Sequence, residues 1–315
     1  MLNSVSGSFF PSEGINVQKC DLRTVGSRRY GALSPLRYPG GKASLAGLFT
    51  DLIKTLDSQI CCYVEPYAGG AGAGIALLRE GIIDQLVIND IDPAVCSFWK
   101  AVTDENNRML EQIAKVPLTI EEWKRQRDIY RNPGARIGFE LGFAFFYLNR
   151  TNRSGILTGG VIGGIQQEGR YKIDARFNRK TLIERVSALD DYRDRIVVTA
   201  NDGRTVIRKY ADRTDTFMYI DPPYVKAGAK LYLNSFDGRD HIALSNIIKE
   251  LDPPHWLITY DDSSLIKALY RDYPQGLLEL SYSANRKTRA EELLVASAKV
   301  AAVMRQLDSC SAQSA

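Results

Sequence analysis

Short apolar runs that each end on a polar or turn-forming residue alternate with helix-patterned segments along most of this chain. That alternation restricts its fold more than any other feature. "CCYVEPY" reads as a strand and "AGIALLREG" as the helix that follows. "QLVIND" is the next strand, and "DPAVCSFWKAVTD" is a helix opened by Asp92-Pro93, a cap and first-turn pair. The pattern resumes at "RIVVTAND", helix "GRTVIRKYAD", strand "TFMYI", helix "DHIALSNIIKEL", strand "HWLITY" and helix "SSLIKALYRD". "GLLELSYS" and "EELLVAS", joined by the polar "ANRKTRA", read as a closing hairpin, so the last strand is expected to be antiparallel. The fold predicted is α/β: a seven-stranded, Rossmann-like, mostly parallel sheet covered on both faces.

Ligands of such sheets bind outside the carboxyl ends of the strands. Glu65, Asp90 and Asp221 end three of the strands and are expected on one edge, with Asn201 and Asp202 from a fourth. Between about 101 and 195 the alternation stops. "IEEWKRQRDIYR" and "IGFELGFAFFYLNR" look helical there, followed by the glycine-rich "SGILTGGVIGG". The aromatic run Phe139, Phe143, Phe145, Phe146 and Tyr147 suits a core better than a base-stacking platform. The expected organisation is an irregular extension over 1–32, a core domain over 33–100 and 196–300, a mostly helical insertion over 101–195, and a tail over 301–315.

Charge is unevenly spread. The chain carries a net +4, but residues 121–185 hold 13 Lys or Arg against 7 Asp or Glu, leaving the remainder slightly acidic. A basic segment beside a near-neutral scaffold suggests contacts with phosphate groups. The only histidines are His241 and His255, and the five cysteines form no paired spacing, so neither a metal site nor a disulfide framework is expected. There is no signal-peptide pattern and no long apolar run, so a cytoplasmic protein is expected.

"EPYAGGAGAG" follows the first strand and opens a helix, which permits a tight turn and close backbone approach to a ligand. Asp90 lies 21 residues beyond Gly69, placed to bind ribose hydroxyls. Together they indicate an adenosine-containing cofactor. Glu65, ahead of the glycines, suits a cationic amino-acid tail better than a pyrophosphate, which favours S-adenosylmethionine over a dinucleotide. "LRYPGGKASL" is not a phosphate loop, because Leu36 and Ala43 stand where Gly and Ser or Thr are required.

In "TFMYIDPPYV" a buried strand runs straight into Asp221-Pro222-Pro223-Tyr224. The exocyclic amine of a base is a poor nucleophile because its lone pair is delocalised into the ring. Two acceptors aimed at its hydrogens draw that lone pair out of the plane. Asp221 supplies one acceptor and the Pro222 carbonyl the other, held by prolines that fix their own φ. Tyr224 offers a stacking face worth about 1–3 kcal/mol. Losing one preorganised acceptor is expected to cost on the order of a hundredfold in rate. A base inside a duplex must be flipped out to reach such a pocket, with the basic insertion holding the distorted DNA by its phosphates.

These motifs resemble those of the Dam-like DNA adenine-N6 methyltransferases over roughly 33–300. "LRYPGGK" is similar to the family's first cofactor motif, "YVEPYAGGAG" to its glycine motif, "VINDID" to its ribose acid and "IDPPY" to its catalytic motif. "FYLNRTNRSG" and "LYLNSFDGRDH" also look like family segments. The resemblance implies transfer of a methyl group from S-adenosylmethionine to N6 of a flipped adenine in duplex DNA. It implies cofactor contacts at Tyr38, Lys42, Asp90 and Asp221, with Asp202 near the cofactor adenine and Tyr282 flanking the extruded base. It also makes 101–195 a target-recognition insertion, with Arg150, Asn152, Arg153, Arg170, Lys172 and Arg176 as candidate DNA contacts. Ala71 stands where many members have the second glycine. "ILTGGVIGGIQQEGRYKIDARFN" departs from the recognition hairpin of the GATC enzymes, so no recognition sequence is assigned. A monomer on DNA and a cognate restriction endonuclease as partner are further expectations.

Three other readings fit less well. An RNA substrate predicts exposed stacking aromatics in the insertion, and a cytosine-N4 enzyme more often carries Ser at the Asp221 position. A non-catalytic DNA-binding protein predicts the loss of a motif. A dehydrogenase leaves Asp-Pro-Pro-Tyr unexplained.

Overall fold

Strand order, more than strand count, sets where this protein can do chemistry. The computed structural model describes residues 23–25, 30–37, 41–56, 59–134, 138–225, 236–283 and 287–313. Among these, one sheet is built from β1 (Arg23–Val25), β2 (Cys62–Glu65), β3 (Gln85–Asn89), β4 (Ile196–Thr199), β5 (Thr216–Ile220), β6 (Trp256–Asp261), β7 (Gln275–Ser283) and β8 (Lys287–Ala296). Its order is β1-β7-β8-β6-β5-β2-β3-β4. Strands β2 to β8 are the seven expected from the sequence, and β8 runs antiparallel to both β6 and β7, as the hairpin pattern predicts. β1 comes from the segment expected to be irregular and pairs in parallel with the outer edge of β7. Three residues are too few to show a periodicity, and the open N–H and C=O groups of an edge strand are what recruit them.

Helix α1 (Ala46–Thr55) precedes β2, α2 (Gly72–Arg79) joins β2 to β3, and α3 (Pro93–Asp104) follows β3. Between β3 and β4 lie α4 (Asn106–Lys115), α5 (Ile120–Arg131), α6 (Phe139–Thr151) and α7 (Arg179–Asp190). Helices α8 (Gly203–Tyr210), α9 (Gly238–Leu251), α10 (Ser264–Leu269) and α11 (Ala298–Gln313) complete the described set. Both faces of the sheet are covered. Tyr63, Phe217, Tyr219, Leu257 and Leu294 pack with Phe49 of α1, Ile75 of α2 and Val300 of α11. Their neighbours Val64, Met218, Ile220, Ile258 and Val295 pack on the other side with Ile207 of α8, Leu244 of α9 and Ile266 of α10. Successive strand residues point to opposite faces. With a core on each side, the inner positions of these strands are mostly apolar on both faces, and the strands read as short hydrophobic runs.

β2 and β5 are neighbours in the centre, and the chain leaves them toward opposite halves of the sheet: β2 to β3, β5 to β6. Such a switch opens a crevice at the carboxyl ends of the two strands, where Glu65 and Asp221 stand. Helix α6 is buried at every residue but Glu140, and its aromatic run is core, as the sequence reading held. Phe146 stacks on Phe98 of α3 at 5.7 Å between ring centroids. The two helices approach so closely at Gly142 that a Cβ there would come within 2.5 Å of the Ser97 carbonyl oxygen.

Gly142→Val is therefore expected to lower the thermal midpoint. The overpacking should cost about 1–3 kcal/mol, read by circular dichroism melting.

Candidate active site

Asp221 leaves the end of β5 and is held from three directions. Lys42 Nζ donates to Oδ1 at 3.2 Å and to Oδ2 at 3.0 Å. The Thr259 hydroxyl donates to Oδ1 at 2.9 Å, and the Tyr224 hydroxyl to the same oxygen at 3.2 Å. Tyr224 itself accepts from Lys42 Nζ at 2.8 Å. Because Thr259 spends its proton on Asp221, the 2.7 Å contact between the Tyr219 and Thr259 hydroxyls is donated by Tyr219. The result is a relay from Tyr219 through Thr259 to Asp221. With three donors on Oδ1 and only Lys42 on Oδ2, the open lone pair of the carboxylate is on Oδ2. The Asp221 side chain keeps 23% of its surface exposed, so a ligand can reach it.

Lys42 stands at the start of a 3-10 turn, Ala43–Leu45, that leads into α1. Its ammonium also lies 3.5 Å from Glu292 Oε2, on β8. Strand register explains the convergence. Glu292, Thr259, Asp221 and Glu65 come from the neighbouring strands β8, β6, β5 and β2, and period-two alternation puts all four on the same face. Glu65 Oε1 accepts from the Gly74 N–H at 3.1 Å. Burial raises the Glu65 carboxyl to about 8; the Gly74 N–H pulls the other way, and the charge of Asp221 adds to the rise. Sequence reading found Lys42, Glu65, Asp221 and Tyr224 but missed Thr259 and Glu292. The available signal was a carboxylate and a hydroxyl in otherwise apolar strands, "AEELLVA" and "WLITY".

The glycine turn after β2 is tied down by side chains on two other elements. The Gly69 N–H donates to Asp90 Oδ2 at 3.0 Å, and the Asp92 N–H to Asp90 Oδ1 at 2.9 Å. Trp99 Nε1 of α3 donates to the Gly69 carbonyl at 2.9 Å. Burial pushes the Asp90 carboxyl up to about 7 against these two N–H groups. Gly69 has φ 46°, and Ala71 has φ 45°. Ala71 thus holds a left-handed conformation that is strained for a residue with a Cβ, at a site where such strain is common. Asn89, which sequence reading passed over, fastens the strand ends. Its amide nitrogen donates to the Pro66 and Asn201 carbonyls at 2.8 and 2.9 Å. Its oxygen accepts from the Thr199 hydroxyl and the Asn201 N–H at 2.7 and 2.9 Å.

The remaining expected site residues have their own surroundings. Asp202 caps α8 and meets Arg204, whose Nη2 lies 2.6 Å from Oδ2, and the pairing holds the carboxyl below its usual range. Asn152 is fully buried, and both its amide hydrogens and its oxygen are engaged within the fold. It accepts from Trp123 Nε1 at 2.7 Å and donates to the Ile156 and Leu157 carbonyls at 3.0 and 3.1 Å. It folds the following loop from a position away from solvent. Arg153, Arg170, Lys172 and Arg176 are exposed, whereas Arg150 is buried. Pro222 is buried and Pro223 half-buried behind Asp221. Tyr38 lies outside the described residues, as does the side chain of Tyr282. Among the described residues no cluster of His, Cys, Asp and Glu could hold a metal ion, and no helix is long and apolar enough to cross a membrane.

A doubly wound sheet with a held Asp-Pro-Pro-Tyr turn and a glycine turn at one edge defines an α/β transferase of the methyltransferase type. The chain belongs to the D12 class of N6 adenine-specific DNA methyltransferases, whose family pattern it matches over residues 38–285. It is thus an enzyme that methylates adenine N6 in DNA. It is similar to the type II methyltransferase M.MjaIII of Methanocaldococcus jannaschii, at 26% identity over 235 residues, 69% of this chain and 79% of that one. It is also similar to the type II methyltransferase M.CviBI of Paramecium bursaria Chlorella virus NC1A, at 22% identity over 257 residues, covering 78% and 90% of the two chains. The rRNA methyltransferase aviRa of Streptomyces viridochromogenes superposes loosely, with a TM-score of 0.38 and 14% identity over 88% of this chain and 94% of that one.

Two outcomes follow from this geometry. Thr259→Val removes one hydrogen bond to a charged group, about 1.5–3 kcal/mol, and is expected to slow methyl transfer by roughly tenfold to a hundredfold. Thr259→Ser, which keeps the hydroxyl, should retain the rate; single-turnover kinetics on both variants check this. Glu65 titrates higher when folded (about 8) than its ordinary 4.5. Over that interval the folded protein binds more protons than the unfolded chain, so stability falls as pH rises from about 4.5 to about 8 and then levels. Glu65→Gln should flatten that slope in denaturation curves recorded across the interval.

Proposed function

We propose that the methyl donor is S-adenosylmethionine and that the acceptor is an adenine flipped out of duplex DNA into the crevice at Asp221. The observation that carries this reading is the row Glu292, Thr259, Asp221 and Glu65 on one face of the sheet, with Lys42 paired to Asp221 and 3.5 Å from Glu292. With Asp90 beside it, this edge has more carboxylates than cations, which suits a cationic ligand. The fit is supported by the turn itself. A Cβ at Gly74 would sit 3.2 Å from Glu65 Oε1 and 2.4 Å from a Leu86 methyl, so no side chain fits between carboxylate and turn.

When bound, the cofactor supplies a methyl group on a sulfonium, already a strong electrophile. Glu65 and the Gly69–Gly74 turn would hold its amino-acid end, and Asp90 its ribose hydroxyls. Asp221 Oδ2 accepts one hydrogen of the target amine, and the Pro222 carbonyl, held between two fixed φ angles, accepts the other. The lone pair turns out of the ring plane and a proton leaves the nitrogen during or after attack. Tyr224 would stack on the base, its hydroxyl anchored by Lys42 and Asp221. Extruding the base costs a few kcal/mol, supplied by contacts to the duplex. The exposed Arg153, Arg170, Lys172 and Arg176 are the surface offered for that role, within a target-recognition segment spanning 101–195. A monomer acting on DNA in the cytoplasm, beside a cognate restriction endonuclease, completes the proposal.

The test incubates the protein with S-adenosylmethionine and duplex DNA of mixed sequence, followed by sequencing for modified bases. N6-methyladenine confined to one short motif, and absent with Asp221→Ala, is the expected result. Label appearing only in RNA, or only in single-stranded DNA, would sink the duplex reading. A cation entering beside Glu65 should also expel its proton. Calorimetric binding of S-adenosylmethionine near pH 7 is expected to release a proton to buffer, less so in Glu65→Gln.

A further inference from the structure

Glu292 is a carboxylate in a strand that is otherwise apolar from this point to its end. β8 is paired on both sides, to β6 and to β7, and the residues that follow, Leu293, Leu294, Val295 and Ala296, are all buried. Glu291, one position earlier, is exposed, whereas the Glu292 side chain keeps only 5% of its surface. A buried ionised carboxylate is costly even when it is answered, and an apolar side chain of similar size would suit the fold as well or better. The charge is therefore to be explained by the site it faces.

Lys42 Nζ lies 3.5 Å from Glu292 Oε2. The same nitrogen lies 3.2 and 3.0 Å from the two oxygens of Asp221 and donates to the Tyr224 hydroxyl at 2.8 Å. The ammonium thus stands between two carboxylates: Asp221, which a ligand can reach, and Glu292, which is enclosed. With both ionised, the three groups hold one more negative charge than positive. That charge is felt deeper in the site. Burial first, then the charges of Asp221 and Glu292, holds the Tyr219 phenol well above its usual range, which keeps it a donor to Thr259.

An ammonium that pins Asp221 also opposes what Asp221 does. The target amine gains positive charge beside this carboxylate during attack, and the charge of Lys42 repels it. A second carboxylate on the ammonium offsets that repulsion and leaves the lysine its geometric role. The same excess of negative charge favours a sulfonium over a neutral ligand.

We infer that Glu292 is a positioning residue for methyl transfer: by sharing the Lys42 ammonium with Asp221, it lets the lysine orient the catalytic carboxylate without cancelling its charge, and it sets the preference of the crevice for a cationic donor. It acts through Lys42. The inference rests on the reading given above, with Asp221 as acceptor and S-adenosylmethionine as donor.

The experiment compares the full chain with Glu292→Gln, which keeps the shape and removes the charge, Glu292→Asp, which keeps the charge, and Asp221→Ala. Four quantities are read. They are the single-turnover rate at saturating cofactor and duplex, duplex affinity, thermal midpoint, and the ratio of affinities for two donor analogues. Sinefungin carries an ammonium in place of the sulfonium, and S-adenosylhomocysteine is neutral there. Glu292→Gln is expected to slow transfer roughly tenfold, to bind duplex as wild type does, and to lose about threefold to tenfold of the preference for sinefungin. Glu292→Asp should recover most of that preference and part of the rate. A rate and an analogue ratio equal to wild type in Glu292→Gln would overturn the proposal. So would a slower rate and a lower melting point with the ratio unchanged, which would leave Glu292 to the packing of β8. Equal loss of affinity for both analogues would make it a cofactor contact, again against the proposal. Binding of neither analogue to wild type would refute the donor reading and overturn the proposal with it. If Asp221→Ala methylates like wild type, the acceptor reading fails; the analogue ratio, which needs no turnover and no DNA, still decides whether Glu292 sets the charge of the crevice.

Discussion

The site depends on one buried ammonium shared among groups that are far apart in the chain. Taking Lys42 out of water is costly unless its charge is answered. Asp221 answers it directly at 3.0 Å, Glu292 stands 3.5 Å away, and the Tyr224 hydroxyl accepts at 2.8 Å. The lysine lies 179 residues before Asp221. The ion pair therefore closes the Lys42 turn, the Asp221 turn and the hairpin strand β8 onto one another. It also orients Asp221. With Lys42, Thr259 and Tyr224 on the carboxylate, the plane of that group is fixed in advance, as a preorganised acceptor requires.

Around this network the sheet edge is fastened by backbone contacts from a few polar side chains. Asn89 joins the ends of β2 and β4 to β3 with all its hydrogen-bonding capacity. Asp90 and Trp99 hold the N–H and the carbonyl of Gly69. The strained Ala71 persists because these neighbours over-determine the turn. Burial raises the Glu65 and Asp90 carboxyls at this edge well above the ordinary carboxylate range.

The basic segment illustrates how far a charge count can mislead. Its cations include Arg179, which donates to the Ile113 and Val116 carbonyls, and Arg125, which pairs with Glu122 at 2.7 Å. Both are spent on the fold. Arg153, Arg170 and Lys172 project to solvent, while Arg150 sits buried with its Nε unpartnered. One net charge therefore covers three physical populations. Nothing in residue type distinguishes them; only burial and partners do.

The amino-acid sequence alone determined the α/β alternation, the antiparallel last strand and the convergence of Glu65, Asp90 and Asp221. These rest on period-two and helical patterns and on turn chemistry, which act over a few residues. It also contained the Asp-Pro-Pro-Tyr turn and the Gly69–Asp90 relation, because both are local spacings. Only the tertiary structure decided that Thr259 and Glu292 face Asp221, since that depends on register across four strands. It likewise assigned Asn152 to the folding of its own loop and set Arg150 beside Arg37. Those placements arise where α6 meets the segment before Lys42, 112 residues away in the chain. No short-range pattern encodes a contact of that span; packing does.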